Sequence, residues 1–256
     1  MKKSTTVLVV ALVLCLPAPG LAQTQTQTVD RLVARNVAAR GGAEAWRAVS
    51  SLRLTGKMDV GRGMLVPYVL EQKRPRKMRL EYVFDGETVV QCSDGSAGWK
   101  LAPFRGRKTP EALTKEELRE ATASADLYGL LFDYVRRGHA VKLLGREPVQ
   151  GRDAFELQVT LPGGAVRWVY LDAESGLEVR VDAMRTVARR ERRVETYYQD
   201  WKAAEGLLVP RRYETRTEGE KDSHVLTVET VLINPPLANA RFAMPAAVPT
   251  GGGRGR

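Results

Sequence analysis

The spacing of hydrophobic residues changes near residue 50. Upstream of that point, apolar residues recur three and four positions apart, as on one face of a helix: Val29, Leu32, Val33 and Val37. This spacing predicts an amphipathic helix. Gly41 and Gly42 interrupt the pattern, and a short second helix carrying Trp46 is expected from Ala43 to Val49. The pattern therefore predicts two joined helices before the rest of the fold.

From Ser51 onward, apolar and polar residues alternate in short runs. In one of them Val166, Trp168 and Tyr170 occupy alternate positions, which predicts a strand with two different faces. Asp85-Gly86 and Asp94-Gly95 separate neighbouring runs. Such pairs favour tight hairpin turns because they tolerate positive φ. We therefore expect ten to eleven strands that pair mostly with their neighbours, antiparallel.

The segment from Thr109 to Tyr134 departs from this alternation. Its start is compatible with a helix, since Pro110 suits a first helical turn. Residues 127–134 then hold six large apolar or aromatic side chains in eight positions. Because this run lies outside the strand pattern, we expect it to form a lid over the sheet, through four residues: Leu127, Leu130, Leu131 and Phe132.

A single antiparallel sheet of this size cannot stay flat, because strand twist accumulates from one strand to the next. The sequence therefore predicts an α+β fold. Its main element is a strongly curved antiparallel sheet, in effect an incomplete β-barrel, with helices covering the concave face. No linker rich in Pro, Gly or Ser divides residues 29–245, so we expect one domain.

The first 22 residues have the organisation of an export signal. Lys2 and Lys3 precede an apolar run from Val7 to Leu16, and small residues follow at Gly20 and Ala22. The run is too short for a membrane span, which needs about 20 apolar residues. We predict cleavage after Ala22, a disordered leader at 23–28, a flexible tail at 246–256, and no stable membrane insertion.

The chain is basic. Its formal net charge of +10 falls to +8 once Lys2 and Lys3 are removed, and several arginines crowd the segment from Arg185 to Arg193. In an exported protein this charge does not point to nucleic acid, whereas anionic head groups and surface polymers are present outside the cytoplasm. A charge run of this kind most often marks a solvated face, so the role of the segment stays open.

Residues typical of catalytic or metal sites are scarce. His139 and His224 are the two histidines, and neither has a potential ligand two to four residues further on. Cys92 lies in an apolar run and is expected to be a small buried residue. The sequence contains no G-x-S-x-G motif and no P-loop. We expect no enzyme, no metal and no cofactor; a hydrolase built on paired carboxylates remains an alternative.

A curled sheet whose apolar hollow is capped by an apolar segment is suited to hold a hydrophobic ligand. Exposing a 16-carbon acyl chain to water costs roughly 12 kcal/mol, so lipid that crosses water needs a shielded carrier. We expect Trp99, Trp168 and Tyr170 to face this hollow from the strands. The alternative is a hollow filled by its own side chains, since these aromatics and the four lid residues also suit core packing.

Motifs along the whole chain resemble those of the outer-membrane lipoprotein-sorting proteins, a family similar in fold to the periplasmic lipoprotein carrier LolA. The matching stretches are Gly41 to Trp46, Asp94 to Trp99, Leu130 to Gly145, Gly151 to Phe155, Trp168 to Asp172, Tyr197 to Trp201, Gly206 to Pro210 and Asn234 to Phe242. The resemblance implies an incomplete barrel with a helical lid and an apolar cavity for acyl chains. It also implies the periplasm of a bacterium with two membranes.

The function that follows is that of a periplasmic carrier. It would bind lipoprotein acyl chains or phospholipid for transfer towards the outer membrane, with an inner-membrane exporter and an outer-membrane acceptor as partners. We expect a monomer. Two other functions stay open: a non-transporting envelope module of the same fold that senses lipid or protein, and a periplasmic hydrolase.

Overall fold

The computed structural model describes residues 20–187 and 190–245, with side chains from Thr28 onward except at position 107. The expected tail at 246–256 and most of the expected signal lie outside these residues. The described helices are α1 (Gly20–Ala39), α2 (Ala43–Ala48) and α3 (Lys115–Ser124), with 3₁₀ turns at Pro103–Arg105 and Asn239–Phe242. Residues 23–28, expected to be a disordered leader, have a helical backbone that extends α1. Extending an existing helix adds one hydrogen bond per residue ordered, which is why a polar stretch can continue it.

Thirteen strands of the described chain form one antiparallel sheet, two or three more than predicted. Their order across the sheet is β6-β5-β4-β3-β2-β1-β13-β12-β11-β10-β9-β8-β7. The strands are β1 (Ser51–Asp59), β2 (Leu65–Lys73), β3 (Lys77–Phe84), β4 (Glu87–Ser93), β5 (Gly98–Ala102), β6 (Arg107–Ala112), β7 (Ala140–Val149), β8 (Arg152–Thr160), β9 (Val166–Asp172), β10 (Glu178–Val187), β11 (Arg190–Ala204), β12 (Leu207–Thr217) and β13 (His224–Ile233).

The sheet consists of two meanders joined in its middle, where β1 pairs with β13. Its two edges are β6 and β7, so the curved sheet is open, as the sequence predicts. These edge strands follow one another along the chain. The connection between them, residues 113–139, therefore has to pass from one edge of the sheet to the other.

The prediction of a helix starting near Pro110 was wrong. Pro110 lies in the edge strand β6, where a missing N–H is tolerated because no strand pairs on the outer side. Helix α3 begins after Thr114, which forms a capping box with Glu117. The Glu117 amide donates to Thr114 Oγ1 at 3.2 Å, and the Glu117 carboxylate accepts from the Thr114 amide at 2.9 Å.

Two glycines permit close approach of backbones. Gly56 sits at a register shift in the pairing of β1 with β13, and a Cβ there would lie 1.9 Å from the carbonyl oxygen of Thr227. Gly41 has a φ of 113° between α1 and α2, and a Cβ there would lie 2.5 Å from the carbonyl oxygen of Gly206. The helical corner thereby packs directly on the turn between β11 and β12.

All three helices pack on the same face of the sheet, which we call the helix-covered face. Helix α1 contributes Val29, Leu32 and Val33 to a cluster with β8 and β9, α2 contributes Trp46 to one with β1 and β12, and α3 contributes Ala121 to one with β3. Cross-strand pairs show that these clusters share one face. In order across the sheet from β3 to β8, the residues that point to this face are Leu80, Leu70, Leu54, Val231, Leu226, Tyr213, Tyr198, Val181, Val169 and Leu157.

The opposite face is partly covered by the C-terminal segment. Leu237 and Phe242 pack there on Cys92 and Trp99. Among the described residues, no helix is both long enough and apolar enough to cross a membrane.

Candidate functional site

The connection between α3 and β7 carries the apolar run singled out in the sequence, and we call residues 126–139 the cap segment. All four expected lid residues pack against the helix-covered face. Leu131 is completely buried and Leu130 partly buried in the cluster that contains α1, β8 and β9. Leu127 and Phe132 are buried in the cluster that contains α2, β1 and β12.

The cap segment holds its own shape through polar contacts. The Arg137 guanidinium donates to the Asp126 carboxylate and to the carbonyl oxygens of Gly129 and Phe132. His139 Nδ1 lies 2.9 Å from the Leu130 carbonyl oxygen, and burial lowers the pKa of this histidine. The neutral imidazole therefore serves as a structural donor.

Arg40 connects three elements beneath the cap. It follows α1 directly and donates from Nη1 to the Tyr128 carbonyl oxygen at 2.8 Å. The same nitrogen lies 3.3 Å from Oε1 of Glu178 in β10, and both side chains are almost fully buried. The guanidinium carbon also lies 4.5 Å from the centre of the Trp46 ring. Helix, cap and sheet are thus joined through one cation.

The three expected cavity aromatics lie on the face opposite the cap segment. Tyr170 is buried there beside Trp168. The Arg180 guanidinium lies 3.8 Å from the centre of the Tyr170 ring, and the Tyr170 hydroxyl donates to the Glu156 carboxylate at 3.0 Å. Trp99 packs beneath the C-terminal segment. The structure therefore separates these three residues from the four lid residues. Alternation shows which residues share a face but not which face the helices cover.

A groove of about 470 Å³ runs between α1 and the cap segment. Its apolar lining comes from Val33 and Val37 on the helix and from Phe132 and Val135 on the cap. Val135 is 69% exposed. On the rim, the Tyr134 hydroxyl donates to Asp30 at 2.6 Å.

A second apolar region occupies the middle of the helix-covered face, and we call it the tyrosine patch. It consists of Tyr68, Tyr82, Tyr198 and Tyr213 with the surrounding aliphatic residues of β1, β2, β3 and β13: Leu54, Met58, Leu70, Leu80, Leu226, Val228 and Val231. The Tyr198 and Tyr213 rings meet edge to face with their centres 5.3 Å apart. The hydrophobic clusters at α1, α2 and α3 each contain helix residues, whereas every residue of this patch comes from a strand.

The tyrosine patch is only partly buried. Tyr198 and Tyr213 are only partly buried, yet desolvation raises the pKa of Tyr198 to about 12 and raises that of Tyr213 as well. Tyr68 is 2% exposed, and its buried hydroxyl has no hydrogen-bond partner among the described residues. The patch therefore has a desolvated centre and keeps part of its apolar area in contact with solvent.

Sequence reasoning missed this patch, although part of the signal was present. Tyr68 and Leu70 alternate in one strand, and Leu80 and Tyr82 in the next. The tyrosines of β11 and β12 join them only through the pairing of β1 with β13, which no local pattern reveals.

The opposite face carries a polar cleft of about 310 Å³. Glu71 lies at its centre, 1% exposed, with its carboxylate 2.5 Å from Arg53 Nη2 and 2.7 Å from Arg241 Nε. Burial alone would raise the pKa of Glu71, but the hydrogen bonds from the two arginines outweigh burial and hold that pKa below its usual value. This carboxylate is committed to ion pairs that fasten the C-terminal segment to β2.

Two groups of kinds often used in catalysis, the His139 imidazole and the Cys92 thiol, are buried in this structure. Cys92 is completely buried, as expected, and burial raises the pKa of its thiol to about 11. The described residues contain no group of three or more His, Cys, Asp or Glu side chains placed to hold a metal ion. The groove between α1 and the cap segment has the volume and the apolar lining to take a hydrophobic ligand, and the tyrosine patch offers a partly exposed apolar surface.

No family model and no curated protein matches this chain. Solved structures do share its fold. A DUF1329 family protein from Desulfovibrio piger superposes with a TM-score of 0.57 at 14% identity, covering 86% of this chain and 97% of that one. A LolA superfamily protein from Nitrosomonas europaea gives 0.54 at 12% identity, covering 84% and 97%.

A Vibrio parahaemolyticus domain named for outer membrane lipoprotein sorting also gives a TM-score of 0.54, at 12% identity, covering 86% of this chain and 97% of that one. At such low identity these similarities establish the fold alone. They confirm the resemblance that the motifs indicate, and nearly the whole of each solved chain takes part in it.

Proposed function

We propose that this protein carries acylated molecules, either lipid or the acyl chains of lipoproteins, and that the tyrosine patch is the binding surface. The observation that carries the proposal is the partial burial of the patch. Of the ten residues in its hydrophobic cluster, only Leu54, Tyr68 and Val228 are fully buried. An apolar surface that stays partly exposed in the folded protein is suited to bind a hydrophobic ligand.

Before binding, water contacts apolar surface on both the protein and the ligand. Half-buried leucine, methionine and tyrosine side chains keep apolar area in contact with solvent, and an acyl chain in water does the same. Each CH₂ that moves from water into such a site gains about 0.8 kcal/mol. A long acyl chain therefore brings enough gross free energy to offset the entropy lost on binding.

We further propose that the helix-covered face is the concave face of the curved sheet. The raised pKa values of Tyr198 and Tyr213, on rings that are only partly buried, support this placement. The helices and the cap segment would then close around the ligand. The groove between α1 and the cap, with its exposed Val135, is the proposed entrance.

The proposed location is the periplasm, after cleavage following Ala22. Support comes from the export signal at the N-terminus and from the fold shared with a LolA superfamily protein and with a domain named for lipoprotein sorting. In this proposal the carrier receives cargo from an inner-membrane exporter and delivers it to an outer-membrane acceptor. The proposed site keeps Leu127, Leu130, Leu131 and Phe132 as lid residues and places the tyrosine patch where the three opposite-face aromatics were expected.

Two substitutions on one strand test the binding surface. Leu226→Lys puts a charge into the tyrosine patch. Leu232→Lys is the matched control, since Leu232 lies on β13 too, is 43% exposed, and pairs with Arg53 on the opposite face. Native mass spectrometry of protein isolated gently from the periplasm would measure bound lipid. We expect lipid adducts on the wild type and on Leu232→Lys, and mostly free protein for Leu226→Lys.

Two results would overturn the proposal: free protein for the wild type under repeated gentle isolation, or unchanged adducts on Leu226→Lys. Thermal unfolding of both variants checks that the binding difference does not come from misfolding. Fractionation of membranes from a deletion strain then tests transport. Mislocalised lipoproteins are expected for a carrier, whereas unchanged sorting would contradict the delivery step.

A further inference from the structure

We propose that the tyrosine patch takes acyl ligands that bear an anionic group, and that Arg211 binds this group. The inference deepens the proposed function and rests on it. It concerns the chemical class of the cargo, which the apolar residues of the patch leave undefined.

Arg211 lies on β12 and points to the helix-covered face. Its neighbours on alternate positions, Val209 and Tyr213, both belong to clusters of that face. Arg212 points the other way, where its guanidinium donates to Gln199 at 3.0 Å. In the pairing of β11 with β12, Gln199 pairs with Arg212 and Trp201 pairs with Pro210, whereas Arg211 between them has no paired residue in β11. The register of β11 is therefore irregular opposite Arg211.

Arg211 forms no hydrogen bond, ion pair or ring contact with any residue that the structure describes, and its Nε is buried. Nearby arginines on the same strand are paired. Arg216 lies 2.8 Å from the Glu214 carboxylate, and Arg212 lies 3.7 Å from it. A guanidinium is always charged and carries five donors, so leaving it partly desolvated and without a partner is unfavourable. An anionic oxygen from a ligand would supply the missing partner.

A second orphaned donor faces the same region. The hydroxyl of Tyr68 is buried without a partner, and burial followed by the charge of Glu229 raises the pKa of this phenol, which keeps it protonated. Tyr68 pairs with Gly56 in β1, which pairs with Val228 in β13. Two strands therefore separate β2 from β12, a backbone distance of about 14 Å at the usual strand spacing.

Two side chains of this length that extend from one concave face can reach neighbouring oxygens of a single head group. Arg211 would bind the anionic oxygen, since guanidinium matches carboxylate and phosphate geometry. The Tyr68 phenol would donate to an uncharged oxygen such as an ester carbonyl. Glu229, the acidic residue that acts on Tyr68, is exposed at the register shift between β1 and β13.

The same chemistry is found in a fatty-acid carboxylate and in a phospholipid phosphate, and the experiment separates the two. Purified, delipidated protein is titrated with three probes by displacement of a fluorescent acyl analogue: palmitate, dipalmitoyl phosphatidylglycerol and neutral dipalmitoylglycerol. The variants are Arg211→Gln, which removes the charge, and Arg211→Lys, which keeps it. Arg212→Gln is the matched control on the opposite face.

We expect Arg211→Gln to weaken the binding of at least one anionic probe roughly tenfold or more, and Arg211→Lys to weaken it less. Dipalmitoylglycerol binding should stay unchanged in all variants, and Arg212→Gln should behave as wild type. The anionic probe that loses affinity identifies carboxylate or phosphate as the group recognised.

Unchanged binding of both anionic probes to Arg211→Gln would overturn this inference and leave the carrier function standing. An equal loss for the neutral probe would overturn it as well, because the residue would then act through the fold. Absence of binding of all three probes to the wild-type protein would overturn the carrier function and this inference together. Melting temperatures of the variants confirm that the folded protein is being compared.

Discussion

Arg40 donates a hydrogen bond of 2.8 Å to the backbone carbonyl of Tyr128, so the end of α1 is joined directly to the cap segment. The carbonyl belongs to the cap segment and the paired carboxylate of Glu178 belongs to β10, so this one cation joins the cap segment to the sheet. Loss of Arg40 is therefore expected to loosen the cap segment and to destabilise the fold at the same time.

Replacing Arg40 by Met should destabilise the protein by about 3–5 kcal/mol, because Glu178 would be left buried without its cation. The double variant Arg40→Met, Glu178→Met should recover part of that loss, since no buried charge then remains. Urea unfolding measures both, and hydrogen exchange should show faster opening of residues 127–132 in each variant. Equal destabilisation of the single and double variants would contradict this account.

Replacing Gly56 by Ala should weaken the join between the two meanders. The added Cβ would lie 1.9 Å from the backbone carbonyl of Thr227, which cannot move as a flexible side chain does. We expect a loss of about 1–3 kcal/mol in the free energy of unfolding. Gly145→Ala is the comparison for backbone strain alone, because its φ of 157° disfavours alanine while a Cβ there meets nothing within 4 Å. Comparable losses at both positions would contradict a special role for the β1–β13 junction.

The ion pairs of Glu71 should make stability depend on acid. Arg241 and Arg53 hold the folded pKa of Glu71 below its ordinary value of 4.5, so the ionised form stabilises the fold above that pH. The contribution should be complete near neutral pH and be lost as the pH falls below about 4.5 towards the folded pKa. The measurement is the difference in unfolding free energy between wild type and Glu71→Gln from pH 7 to pH 3. A difference that does not shrink with acid would count against these pairs.

The Cys92 thiol should resist modification in the native protein. It is completely buried against the C-terminal segment, and burial raises its pKa to about 11, so roughly one thiol in a thousand is ionised at pH 8. Labelling with a thiol reagent should be slow in buffer and fast in denaturant. Phe242→Ala should accelerate native labelling, because Phe242 packs directly on this residue. Rapid labelling of the native wild type would contradict the packing.

The spacing of apolar residues along the chain predicts most of the secondary structure of this protein. Alternation predicts most of the thirteen strands, ten to eleven of them, because a strand with one buried face must repeat with a period of two. One strand that alternation misses, β6, is a short polar edge strand whose Pro110 suggests a helix instead. The hairpin at Asp85-Gly86 follows the rule for positive φ, with both residues in the left-handed region.

The apolar cap is equally visible in the sequence. Leu127, Leu130, Leu131 and Phe132 stand out because so many large apolar side chains in a row need a surface to cover. That they pack on the sheet follows from the hydrophobic effect, whichever partner residues lie beneath them.

The order of residues along the chain therefore shows which side chains share a face and which segment must cover one. Which face is covered becomes known only from the folded sheet, since alternation is symmetric between the two faces of a strand. For that reason Trp99, Trp168 and Tyr170 lie away from the cap segment, while Tyr68 and Tyr213 lie on the helix-covered face. The pairing of β1 with β13 brings residues about 170 to 180 positions apart into one patch, where Arg211 has no partner among the described residues. Such distant pairings depend on the packing of the whole sheet, and no local pattern encodes them.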